Sequence, residues 1–237
     1  MTGIALKIGL TPEHACSYLP AEKERLMVLL EDKYRSAEGY EALLNAGFRR
    51  SGNDLYRPHC QRCTACHSLR LAIADFQPSA SQRRIKQRNN NIQIVLSSQD
   101  KPEYYDLFAR YIHARHKDGS MFPATRNQYD NFLLCDWLSP YFVEFHLEQQ
   151  LVAVAITDPL PLSLSAMYTF YDPAYSGLSL GSLAIMTQVD LARRMNRQWL
   201  YLGYQVDGCR KMKYKTHFHP YELLIDQEWK SEHSDEE

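Results

Sequence analysis

The sequence predicts an α+β fold. A small N-terminal α/β domain that contains a cysteine cluster spans residues 1–90, and a larger domain with a mixed, mostly antiparallel sheet spans 91–230. An acidic tail over 231–237 follows. Three observations lead there. Tyr141–Leu147, Leu151–Thr157 and Leu164–Tyr171 are successive β-type runs joined by short turns. A helical stretch from Ser182 to Met195 is followed at once by the aromatic and β-branched run Trp199–Val206. Upstream of both, three cysteines at 60, 63 and 66 precede Pro78 and the Asn89–Asn91 run, the best candidate boundary.

Taken in order, residues 4–19 read as an extended segment leading to Cys16-Ser-Tyr-Leu, and Pro20 to Asp32 as a short helix or loop edge. Ser36 is placed to cap a helix through Leu44, which Gly47 ends. Phe48 to Arg57 forms a strand pair around the turn-rich Ser51-Gly-Asn-Asp54, and Ser68 to Phe76 a further strand. A basic helix over 79–90 is capped by Ser79 or Ser81, and Ile92 to Leu96 is a strand. Pro102 to His116 is an amphipathic helix with Tyr105, Phe108, Ala109 and Ile112 on one face, and Asn127 to Trp137 is another helix. The first two of the three later strands join at Glu148–Gln150, and Asp172-Pro173 ends the third. A Ser/Gly loop over 175–181, the 182–195 helix, the 199–206 strand, a basic segment and a strand Glu222–Asp226 close the chain.

An apolar content of 45% and a charged content of 23% over 237 residues are ordinary for a globular protein that buries a real core. No apolar run approaches the ~20 residues of a membrane span, and Met1 to Leu10 lacks the features of a secretory signal. Six dispersed cysteines do not make a disulfide scaffold, so a reducing, cytoplasmic setting is expected. The net charge of −1 hides an asymmetry. Residues 48–90 carry nine Arg and Lys against two acids, residues 193–217 seven against one, and residues 222–237 one lysine against seven acids. Such blocks point to a polyanion held against particular faces.

The most informative stretch is 199–222. A strand ends at Asp207-Gly208, and Arg210, Lys211, Lys213 and Lys215 follow around Tyr214. That is a place where a polyanion can be held beside a reacting group. Arg83, Arg84, Lys86 and Arg88 on the basic helix are further phosphate contacts, although the same residues also suit an ordinary exposed helix face. Tyr168 and Tyr201, if adjacent across the sheet, would wall an apolar pocket. Cys60, Cys63 and Cys66 with Cys16 have the spacing of a metal or iron–sulfur site, or are reduced thiols. The triad orders, Walker loop and His-Glu-x-x-His helix are missing, which disfavours nucleophilic and metallohydrolase chemistry. Cys135 and Cys209 stand alone.

The order of strands, Ser/Gly loop, helix, strand, helix and strand resembles the core of the Gcn5-related acyltransferase fold, with only Gly177 and Gly181 in the loop. The joint pattern is more specific. Cys16-Ser-Tyr-Leu, Tyr56-Arg-Pro-x-Cys60, Cys63-x-x-Cys66, Ser81-x-x-Arg84, Tyr168-Thr-Phe-Tyr-Asp-Pro173, Ser179-Leu-Gly181, Tyr201-Leu-Gly-Tyr204 and Lys211-Met-x-Tyr-Lys215 resemble the arginyl-tRNA–protein transferase family over nearly the whole chain. The short length is most similar to its bacterial branch, the aspartate/glutamate leucyltransferases. The resemblance implies transfer of leucine from leucyl-tRNA to proteins that begin with Asp or Glu, marking them for degradation. Eukaryotic relatives use arginine and have an N-terminal cysteine site. Here Leu19 stands where a second cysteine would follow Cys16.

The chemistry needs no cofactor, because the aminoacyl ester is already activated and an α-amine can attack it directly. Asp207, Tyr204 and Gln205 are the catalytic candidates, with Asp207 to orient or deprotonate the amine. Tyr168, Tyr201, Ser179, Gly181, Arg57, Lys213 and Lys215 are substrate-binding candidates, the cations among them for the acidic first residue. Arg83, Arg84, Lys86, Arg88, Arg210 and Lys211 are the candidates for tRNA, and Cys16, Cys60, Cys63 and Cys66 for a metal or cluster. Arginyl transfer, acetyl-coenzyme A chemistry on the same fold, and a non-enzymatic metal-and-RNA-binding module are the competing readings.

Overall fold

The computed structural model of the chain describes residues 6–117, 119 and 121–232. Its first part begins with β1 (Ile8–Leu10), β2 (His14–Ala15), β3 (Lys23–Glu24) and β4 (Leu26–Leu29). The 20–32 segment therefore carries strands where a helix or loop edge was expected. Met27 and Leu29 alternate inward and β4 lies between β1 and β6 (Asp54–Pro58), so ladder pairing decides the outcome. Helix α1 (Ala37–Asn45) begins at Ser36, whose Oγ accepts from Gly39 N–H at 3.1 Å, and turns out through Gly47 at φ 86°. β5 (Arg49–Ser51) pairs with β6 and completes an antiparallel four-stranded sheet in the order β1-β4-β6-β5.

After β6 the chain leaves that sheet, and β7 (Cys66–Ala72) enters a larger one. Then follow α2 (Ala80–Arg88), closed by a Ser79/Gln82 capping box, β8 (Gln93–Ser97), α3 (Pro102–Arg115) and α4 (Arg126–Leu133). β9 (Tyr141–Leu147), β10 (Gln150–Pro159) and β11 (Ser163–Tyr171) form the expected meander, and Glu148 and Gln149 take positive φ at its first turn. α5 (Leu180–Arg194), β12 (Trp199–Val206), β13 (Tyr221–Ile225) and β14 (Glu228–Glu232) complete the chain. β14 falls partly in the segment expected to be a frayed acidic tail, of which 233–237 lie outside the described residues. Asp226 and Gln227 turn at positive φ and pair β14 with β13.

The larger sheet runs β14-β13-β7-β12-β11-β10-β9-β8 and is antiparallel except between β11 and β12. β10 is buried on both faces, which is why it reads as a nearly unbroken apolar run. Ala153, Ala155, Leu200 and Leu202 face α5, whose Leu183, Met186 and Val189 complete that layer. On the opposite face Val154, Ile156 and Phe170 meet α3 and α4. The buried stripe of α3 is Tyr104, Leu107, Phe108 and Ile112, so Tyr105 and Ala109 of the expected face lie at its margin. Tyr201 packs with α1 and the four-stranded sheet. Arg50 ties the two sheets together, gripping Asp158 through Nε and Nη2 at 2.8 and 2.6 Å with both side chains fully buried. No helix among the described residues is long and apolar enough to cross a membrane.

Candidate active site

β11 and β12 run side by side only from Ser163 to Ser165 and Trp199 to Tyr201. Beyond that point β11 stays with β10, while β12 stays with β7 across a register shift between Tyr201 and Gly203. Gly203 sits at φ 82°, a conformation that favours glycine, and this bulge turns the strand away. The two strands therefore splay, and the wedge between them opens into a cleft of about 2620 Å³. Arg49 reaches in from β5, where Nη2 donates to Ala166 O at 3.2 Å. Lys215, on the short 3-10 turn Lys213–His217, donates from Nζ to Tyr204 O at 2.7 Å. Burial, and then the charge of Arg49, bring the Lys215 amine down to about 7.

One wall is aromatic. Tyr168 meets Phe132 edge-to-face at 5.2 Å, and Tyr111 stands 5.0 Å from Tyr171 and 5.2 Å from the His116 ring. Burial raises the Tyr168 and Tyr111 phenols, so both are uncharged surfaces at neutral pH. His116 is lowered by burial and then by Lys211 and Arg115, which favours the neutral imidazole. Opposite lies the start of α5. Ser179 takes φ 56°, Arg88 Nη2 stands 3.3 Å from its Oγ, and a Cβ on Gly181 would meet nothing within 4 Å, so the approach to the helix N-terminus is open.

Cys16, Cys60, Cys63 and Cys66 line the same cleft. They do not fit a metal or cluster as they stand, because no three His, Cys, Asp or Glu among the described residues are placed to hold an ion. Burial, then Cys60, Cys16 and Cys63, push the Cys66 thiol up to about 12. Cys16 Sγ instead accepts from the N–H groups of Tyr18 and Leu19 at 3.4 and 3.5 Å. The expected metal or iron–sulfur cluster is therefore unsupported among the described residues.

Of the residues singled out in the sequence, Tyr168, Ser179, Gly181, Tyr204, Arg210, Lys211 and Lys215 meet at the cleft. Tyr204 is committed, since its hydroxyl donates to Gly47 O at 2.9 Å and burial holds the phenol far above its usual range. Tyr201 does not wall a pocket with Tyr168. Both lie on the sheet face away from α5, but Tyr201 packs into the cluster with α1 and the four-stranded sheet, against Trp229 at 5.8 Å, outside the cleft lining. Gln205 is buried beside the cleft with Oε1 unbonded among the described residues. Asp207 lies at the strand end, 66% exposed, with Oδ2 3.4 Å from His67 Nε2. Arg57 bonds Ala46 O and Gln227 Oε1, and Lys213 is exposed outside the lining. On α2, Arg83 bonds Pro78 O, Lys86 pairs with Asp190 at 2.6 Å, Arg84 is exposed, and only Arg88 reaches the α5 end of the cleft. Arg49 was missed. Its signal was the Arg49-Arg50 pair itself, because neighbours on a strand point to opposite faces and one of the two must turn inward.

The profile of the arginine-tRNA-protein transferase C terminus matches residues 103–225, and that of the N terminus matches residues 14–84. Proteins named aspartate/glutamate leucyltransferase from Aeromonas salmonicida and Aeromonas hydrophila are 57% and 58% identical, each comparison covering 96% of both chains. One from Pseudomonas aeruginosa is 47% identical over 97% of this chain and 98% of its own. Among solved structures, the C-terminal domain of a putative lysylphosphatidylglycerol synthetase from Agrobacterium fabrum superimposes with a TM-score of 0.50 at 11% identity. That match covers 81% of this chain and 62% of the other, and the likeness is one of fold. By sequence over almost its whole length, the chain belongs to the arginine-tRNA–protein transferase family.

Proposed function

We propose that the protein transfers leucine from leucyl-tRNA to the α-amine of proteins beginning with Asp or Glu, in the cytoplasm, marking them for degradation by the N-end rule pathway. The observation that carries this reading is the cleft between the splayed strands. At about 2620 Å³ it exceeds the ~300–1,000 Å³ of a small-molecule pocket, so it has room for a charged tRNA end and a peptide together. Its aromatic wall of Tyr111, Tyr168 and Tyr171 suits an apolar leucyl side chain or a terminal base. Arg210 and Lys211 at the mouth, with Arg88 beside the start of α5, suit the acceptor-stem phosphates.

In the reaction the acceptor's α-amine nitrogen attacks the ester carbonyl carbon. A C–N bond forms, the C–O bond to the terminal ribose breaks, the ammonium proton passes to a base, and the ribose oxygen leaves as a hydroxyl. The protein's part is to place the two reactants and shield them from water. Asp207 is proposed to orient the incoming amine from the strand end, with Tyr204 and Gln205 supporting the same strand. In this reading residues 1–90 are a cysteine-containing unit that supplies Arg49 and β7, and residues 91–230 the acyltransferase-like unit.

The test is transfer from tRNA charged with labelled leucine or arginine, with acetyl-coenzyme A as rival donor, to peptides beginning with Asp, Glu, Lys or Ala. Leucine is expected on the Asp and Glu peptides alone. Arginine in its place would overturn the donor assignment, and acetylation would overturn the reaction.

A further inference from the structure

Among the described residues four cations are buried, and two of them are matched by acids. Arg50 holds Asp158 and Arg70 holds Glu222 at 2.7 Å. Arg49 and Lys215 are each 7% exposed, and among the described residues neither has a carboxylate within ion-pair distance. Each is anchored by a backbone carbonyl instead, Ala166 O for Arg49 and Tyr204 O for Lys215. The two heads meet β12 at consecutive residues. A Cβ on Gly203 would stand 3.3–3.5 Å from the Arg49 guanidinium, and Lys215 Nζ sits on the carbonyl of the next residue. Both line the cleft at the apex of the wedge. Two buried like charges without a counter-ion are unfavourable by themselves and become favourable when an anion enters between them.

We infer that Arg49 and Lys215 form a carboxylate-binding site for the side chain of the acceptor's first residue, which rests on the leucyl-transfer reading above. A guanidinium fork beside an ammonium offers donors alone, which matches a carboxylate with its acceptor oxygens. An Asn or Gln side chain would bring an NH₂ group into a ring of donors and leave it unpaired. A phosphodiester of the tRNA is the less suitable anion here, because the exposed cations Arg210 and Lys211 stand at the mouth while Arg49 and Lys215 lie buried at the apex. The charged and titratable groups that reach Lys215 are Arg49 from β5, Cys209 from the turn after β12, and Tyr204 on β12, whose carbonyl it holds.

The experiment compares kcat/KM for peptides beginning with Asp and with Asn, in the wild-type protein and in Lys215→Met and Arg49→Lys. Leucyl-tRNA binding and thermal melting are followed in parallel. The wild-type preference for Asp is expected to collapse by about 100-fold in Lys215→Met, with leucyl-tRNA affinity unchanged. An unchanged Asp-to-Asn ratio in folded variants, or a loss of leucyl-tRNA affinity that accounts for the defect, would overturn the site. A wild-type protein that transfers leucine to no peptide would instead overturn the functional reading. The wild-type protein gives a second measurement that needs no variant. Calorimetry near pH 8 in buffers of different ionisation enthalpy is expected to register uptake of about one proton with the Asp peptide and none with the Asn peptide. Equal proton uptake with both peptides counts against the site.

Discussion

Replacing Lys215 by Met should change not only activity but the pH dependence of stability. The ordinary lysine pKa is 10.5, and in the folded protein burial brings Lys215 to about 7. Between those values the unfolded chain holds a proton that the native protein lacks, so the Lys215 contribution makes stability rise with pH across that window. Below about pH 7 both states are protonated and the full penalty stands. Above 10.5 neither is protonated and the penalty is gone. The gap corresponds to roughly 5 kcal/mol at low pH, falling to about 2 kcal/mol near pH 9. Met keeps the length and packing of the side chain without the charge. The assay is urea unfolding of wild-type and Lys215→Met protein at a series of pH values, so that other titrating groups cancel in the difference. The variant is expected to be the more stable at about pH 6, with its advantage shrinking by about 3 kcal/mol by pH 9. An advantage that does not vary with pH would refute a buried, uncompensated amine. A more stable but less selective variant would show that the residue is kept at a cost in stability.

Other perturbations have outcomes fixed by the same geometry. Asp158→Asn leaves the Arg50 guanidinium buried without its partner and should cost about 3–5 kcal/mol in chemical unfolding, whereas Arg50→Met combined with Asp158→Leu should cost far less. Gly203→Ala forces a side chain into φ 82° against Arg49, so about 1–3 kcal/mol of stability should be lost together with acceptor selectivity. Lys211→Ala should lower the salt-dependence slope of leucyl-tRNA binding by about one, read by filter binding at several salt concentrations. Lys86→Ala should lower it less, because Asp190 already holds that charge.

Much of the fold is legible because local signals and tertiary packing agree. Ser36 and Ser79 cap the helices their positions announce, and the β9–β11 runs alternate or fill as strands between two layers must. The failures have physical causes. Leu26, Leu29 and Leu30 are spaced as on a helix, and only pairing with β1 and β6 makes that segment a strand. Ser231 and Glu232 belong to the acidic stretch that reads as a tail, yet the turn at Asp226-Gln227 folds Glu228–Glu232 onto β13, and Trp229 packs on Tyr201. At the site, the residues on the β12 end and the Ser179 loop were readable because strand end, turn and helix start lie close together in sequence. Arg49 was not, because its burial depends on the splay between two strands more than a hundred residues further along the chain. The four-cysteine spacing is that of a metal site, but among the described residues of the folded chain no three ligands are placed to hold an ion.

The most direct test of the central claim is mass spectrometry of one reaction. The protein would be mixed with leucyl-tRNA and a peptide beginning with Asp, beside the same peptide with its α-amine acetylated. The account predicts that the free peptide gains a single leucine on its α-amine and that the acetylated peptide is unchanged. Leucine on the acetylated peptide, or none on the free one while the tRNA is bound, would contradict it.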